Sequence, residues 1–110
     1  MQGKPYEEDQ ADAGTLAAEP GTLVISLEGS LDAESAPKLE ERLNNELGYA
    51  DVLILDMRSV EYVSSAGLRV ILQAQKTMSA KGGMKVIHVN DFIMELFESV
   101  GFDEILDIEQ

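Results

Sequence analysis

This sequence predicts an α/β fold in which helices pack against a mixed, largely parallel β-sheet. Three segments repeat apolar residues at the three- and four-residue spacing of amphipathic helices, and short apolar runs of strand length alternate with them. Turn and cap residues, such as Pro20-Gly21, Gly82-Gly83 and Asn90-Asp91, stand at the joins. The expected order is β-β-α-β-α-β-α-β, and strands that alternate with helices pair in parallel through helical crossovers. With 110 residues and 45% hydrophobic content, the chain can bury one core but not two.

Taken in order, residues 1–12 are polar and acidic and are expected as a flexible tail, ahead of one domain at residues 13–110. Residues 14–19 are a weak edge-strand candidate. Pro20-Gly21 would turn them into a hairpin with residues 22–29, a β-rich run expected to be central in the sheet. A polar loop, Ser30-Leu31-Asp32-Ala33-Glu34-Ser35, leads to a helix whose stripe is Ala36, Leu39, Leu43 and Leu47, with Gly48 as its stop. Val52-Leu53-Ile54-Leu55 is short and wholly apolar, as expected of a strand buried on both faces and ending at Asp56.

A second helix is expected over residues 65–80, with its stripe at Leu68, Ile71, Leu72 and Met78, widened by Val70 and Ala74. Gly82-Gly83 reads as its C-terminal turn. Residues 84–89, including His88, read as a strand. The third stripe is Ile93, Leu96, Phe97 and Val100, closed by Gly101, and residues 103–108 form a short last strand.

Eight basic residues against 21 acidic ones give a formal charge of −13. Such a surface repels nucleic acid and anionic lipid, so the expected partner is a protein with a basic or apolar face. The chain has no cysteine, which excludes disulfides, thiolate chemistry and cysteine metal sites. Residues 1–10 have no signal-type apolar stretch, and no segment approaches the length of a membrane span. The expectation is a cytoplasmic protein, monomeric when free, with no cofactor and no metal.

The most informative segment is the run from Val60 to Leu72, where Ser64-Ser65 falls at a strand-to-helix junction. A helix start exposes unpaired N–H groups and partial positive charge, so a serine there is a natural cap and would tolerate a phosphate. Position alone favours capping for Ser65, and a plain turn role for Asp32. His88, the single histidine, reads as structural, since no triad partner accompanies it. Glu7-Glu8-Asp9 lacks the spacing of a calcium loop.

Together, Gly29-x-Leu31-Asp32 and the Ser64-Ser65-Ala66-Gly67-Leu68 junction resemble the STAS domain, and within it the bacterial anti-sigma factor antagonists, over about residues 14–108. Members carry a phosphorylatable serine before a small residue and Gly-Leu. That position falls on Ser65, with Ser64 the second candidate, standing where an aspartate is usual. The resemblance implies a STAS-like fold and a non-enzymatic switch. The unphosphorylated form would bind an anti-sigma factor serine kinase and free its sigma factor. Phosphorylation of Ser65 would abolish that binding, and a serine phosphatase of the metal-dependent type would reset it. Glu28, Ser30, Asp32, Ser64, Ala66, Gly67 and Leu68 are the expected partner-binding residues, Ala66 and Gly67 because their size lets another backbone come close.

The alternative is a phosphorylation-independent STAS module in a lipid-transport or stress-sensing complex. An enzyme is disfavoured, since the chain offers one histidine, no cysteine and no nucleotide fingerprint.

Overall fold

In a computed structural model of the chain, residues 21–110 are described. The expected acidic tail and the first strand of the hairpin lie outside them. Within them, four parallel strands run in the order β1-β2-β3-β4: β1 (Thr22–Leu31), β2 (Val52–Val63), β3 (Met84–Ile87) and β4 (Asp107–Glu109). Three helices connect them: α1 (Ala36–Glu46), α2 (Ser65–Ser79) and α3 (Asp91–Ser99). One-turn 3-10 segments follow α1 at Leu47–Tyr49 and α3 at Phe102–Glu104.

Parallel neighbours need a crossover, and each helix supplies one while burying its own stripe. In α1 the buried positions are Ala36, Leu39 and Leu43, and in α2 they include Val70, Ile71, Ala74 and Met78. Ile93 and Phe97 are buried in α3, and the Phe97 ring stacks on Phe102 at 5.9 Å. Leu68, Leu72 and Leu96 are only partly buried and pack at the rim of this core.

Burial along β2 corrects one expectation. Leu53, Leu55 and Met57 are fully enclosed, whereas Val52, Ile54 and Asp56, which alternate with them, are half-buried. The strand alternates, so one face of the sheet is more deeply covered than the other. A four-residue apolar run cannot distinguish this from burial on both faces.

A second correction concerns the length of β2. Its pairing with β3 ends at Asp56↔Ile87, yet β2 continues to Val63 against β1, past two register shifts at Ser26/Glu28 and Gly29/Ser30. Gly29 takes a positive φ of 71° beside the second shift, a conformation glycine adopts without steric cost. Across the shifts burial falls on Met57, Val60 and Val63, so the alternation that marks a strand is lost there.

Two further elements end differently from the sequence expectation. The strand expected over residues 84–89 stops at Ile87, because His88 turns the chain with a φ of 58°. The expected last strand over residues 103–108 is divided between the 3-10 turn and β4. On the opposite side of the molecule, Lys81 donates to the carbonyls of Leu47 and Ala50 at 2.5 and 3.0 Å. Its charge thereby closes the C-terminal end of α1 and the 3-10 turn that follows.

Candidate functional site at the strand carboxyl ends

The carboxyl ends of β1 and β2 are neighbours, since Leu31 pairs with Val63. Loops leaving the carboxyl ends of parallel strands are the usual binding edge of such sheets. The loop after β1 carries Asp32 and the junction after β2 carries Ser64 and Ser65. One hydrogen bond ties them together directly, from the Ser64 N–H to the Leu31 carbonyl at 2.8 Å.

The two serines divide the roles that the sequence leaves together. Ser64 is the N-cap of α2: its backbone is extended (φ −87°, ψ 176°) and its Oγ accepts from the Gly67 N–H at 3.4 Å. Ser65, read from its position as a cap, is instead the first residue of the helix and is exposed. The capping requirement is met one residue earlier, which leaves the Ser65 hydroxyl unused by the cap.

Gly67 has a role inside the fold. It is buried, and a Cβ placed on it would sit 2.7 Å from the Leu31 carbonyl oxygen and 2.8 Å from Leu31 Cγ. The glycine lets Leu31 of the same chain come close, so its small size already has a use within the fold. Ala66 and Leu68 are half-buried beside it and pack against the core.

Asp32 builds the other half of the site. Its Oδ1 accepts from the backbone N–H groups of Glu34 and Ser35, both at 3.0 Å, and lies 3.2 Å from Ser35 Oγ. Ser35 Oγ accepts in turn from the Asp32 N–H at 2.9 Å and donates to the Ser30 carbonyl at 2.7 Å. The N–H groups of Ser35 and then Glu34 hold the Asp32 carboxyl below the usual aspartate range, so it is ionised at neutral pH. Asp32 therefore does shape the turn into α1, and it also fixes a negative charge beside the α2 junction. Glu28 and Ser30 are exposed on the last part of β1, opposite Ser59 and Tyr62 of β2.

Several residues at this end make contacts that the sequence does not report, although Asn90 itself reads as a cap from its position. Asn90 caps α3 by accepting from the Ile93 N–H at 2.8 Å, and its Nδ2 donates to the Val60 carbonyl at 3.1 Å. That second bond fastens the start of α3 to β2 beyond the end of β3. His88 lies outside the sheet, with Nε2 2.8 Å from Nη2 of Arg58. Arginine can only donate, so Nε2 accepts and the proton of the neutral ring sits on Nδ1. Tyr62 and Phe92 meet here too, with ring centroids 6.3 Å apart. Among the described residues no helix is long and apolar enough to cross a membrane.

Comparison with known proteins agrees with this architecture. The STAS domain family matches residues 15–110. The anti-sigma-B factor antagonist of Listeria monocytogenes is 32% identical over 87 residues, spanning 77% of this chain and 76% of that protein. The anti-sigma-B factor antagonist of Bacillus subtilis is 29% identical over 85 residues, spanning 76% and 78%. The crystal structure of an anti-sigma factor antagonist from Mycobacterium paratuberculosis shares the fold, with a TM-score of 0.75 at 22% identity, covering 84% of this chain and 80% of that one. A match over nearly the whole described chain, joined to relatives of this identity and coverage, places the protein: it belongs to the STAS domain family and, within it, to the anti-sigma factor antagonists.

Proposed function

We propose that this chain is an anti-sigma factor antagonist that works by partner switching, with Ser65 as the phosphoacceptor. In its unphosphorylated form it docks on an anti-sigma factor serine kinase through the carboxyl ends of β1 and β2, and so frees the sigma factor. The kinase phosphorylates Ser65 and thereby loses its ligand. A metal-dependent serine phosphatase restores the binding form.

The observation that carries this reading is the separation of Ser64 from Ser65. A hydroxyl engaged in capping is a poor substrate, because turning it toward a kinase's ATP would uncap the helix. Ser65 is exposed at the first helical position, with Ser64 already serving Gly67. A phosphate on Ser65 would bring roughly −1.5 to −2 charges at neutral pH. The fold tolerates them, since a helix start favours anions by about 0.3–1 kcal/mol. A docked protein does not: the phosphate would lie in the contact and beside the ionised Asp32. Each 1.4 kcal/mol of lost binding is about tenfold in affinity, so a few such increments separate bound from free.

The test is to incubate the chain with ATP and each anti-sigma-type serine kinase of its source genome, purified, and to map phosphate by mass spectrometry. Modification at Ser65, abolished in Ser65→Ala and retained in Ser64→Ala, is the expected result. Phosphate confined to Ser64, or Ser65→Asp binding the kinase as tightly as the wild type, overturns the assignment.

A further inference from the structure

We infer that Tyr62 and Phe92 form an aromatic anchor beside Ser65, on which the protein that docks over Ser65 seats an apolar contact flanked by basic side chains. The inference rests on the docking reading above and gives that partner a surface chemistry.

Tyr62 and Phe92 are 46% and 57% exposed, large values for aromatic rings that already cover part of each other. Neither position needs an aromatic residue for the fold. Tyr62 is a solvent-facing position of β2 past the register shifts, and Phe92 is in the first turn of α3. The arrangement is nevertheless fixed, because Asn90 fastens the start of α3 to the Val60 carbonyl and so holds Phe92 beside Tyr62. A preformed aromatic surface loses little freedom on binding, and tyrosine is enriched among the residues that dominate interface energies.

Position joins this pair to the switch. Tyr62 is opposite Ser30 in the sheet and three residues before Ser65, so their Cα atoms are within about 11 Å of each other. One side of a standard interface covers about 800 Å² and 20–30 residues. The pair therefore lies within the span of a single interface centred on Ser65.

Charge selects the occupant. Glu61 precedes Tyr62, Asp91 precedes Phe92, and Glu95 follows one turn later on α3, all exposed. Arg58 is the basic residue nearest Tyr62 along β2, and it is engaged with His88. With a formal charge of −13, a second copy of the chain and an anionic membrane are both repelled. A protein surface with an apolar centre and a lysine or arginine rim is attracted, faster and more strongly at low salt.

The experiment measures binding of the same purified kinases by titration calorimetry to wild type, Tyr62→Ser/Phe92→Ser and Ser65→Asp. The double variant should keep the wild-type circular dichroism spectrum and bind about thirtyfold more weakly or worse, and added salt should weaken the wild-type complex. A folded double variant that binds within twofold of wild type, while Ser65→Asp abolishes binding, overturns the anchor and leaves the switch standing. Loss of binding in the double variant with none in Ser65→Asp leaves the anchor and overturns the switch. Wild type that binds no kinase of the set overturns both. A wild-type dimer in sedimentation that the double variant dissociates assigns the surface to a second copy and also overturns the anchor. Should the double variant fail to fold, Phe92→Ser alone is read by the same criteria.

Discussion

The strand-to-helix junctions after β1 and β2 differ in how much of their chemistry the fold consumes. After β1, Asp32 and Ser35 tie the loop with five side-chain hydrogen bonds, and both side chains are spent on local structure. After β2, one 3.4 Å cap from Ser64 and the close packing of Gly67 on Leu31 make the turn, and Ser65 is left outside the arrangement. The first junction is a support and the second is where a modification can be placed at little structural cost. Adjacent loops of similar composition thus take unlike duties, decided by which hydroxyls and carboxylates find partners.

Substitutions can break or sharpen that contrast. The largest effect is expected for Gly67→Val, which forces side-chain atoms into the space of the Leu31 backbone and side chain. Overpacking of this kind costs about 1–3 kcal/mol, and with backbone on one side the upper end is expected, read as a lowered urea midpoint. Ser64→Ala removes the α2 cap and should cost about 0.5–1 kcal/mol by the same measurement, the long hydrogen bond placing it low in the range for N-caps. A loss above 2 kcal/mol would mean that Ser64 holds more than the cap.

Asp32→Asn should act more mildly at neutral pH, because the amide oxygen can still accept, and its effect should depend on pH. The folded state lowers the Asp32 pKa, so its ionised form adds stability above the unfolded-state pKa. That stability is lost as pH falls through the depressed folded-state value. Wild type should therefore exceed Asp32→Asn at pH 7, and the gap should close on acidification, as thermal melts at successive pH values would record. The smallest change is expected for Ser65→Ala, within about 0.5 kcal/mol of wild type. If that variant loses as much stability as Ser64→Ala, the division of roles between the two serines is wrong.

The helices and their alternation with strands along the chain are legible because each helix keeps an unbroken stripe and each crossover ends in clear cap or turn residues. The STAS resemblance rested on residues that are now explained locally: Gly67 by the approach of Leu31, Asp32 by its loop. What could not be read lies past Asp56. Two register shifts change the burial period there, so residues 57–63 show no alternation and the sequence pattern ends the strand at Asp56. The turn at His88 is hidden for a related reason, since a positive φ in a non-glycine residue leaves no mark in composition. The pairing of Tyr62 with Phe92 depends on a contact between residues thirty positions apart, set by Asn90, and no local pattern reports such a contact.

That asparagine has a dynamic consequence. One side chain both starts α3 and grips the overhanging tip of β2, so motion of the tip is coupled to the first turn of the helix. Amide protons of residues 60–63 and 92–94 should then exchange with solvent as one cooperative unit, slowed together, and replacing Asn90 with alanine should speed both sets in concert.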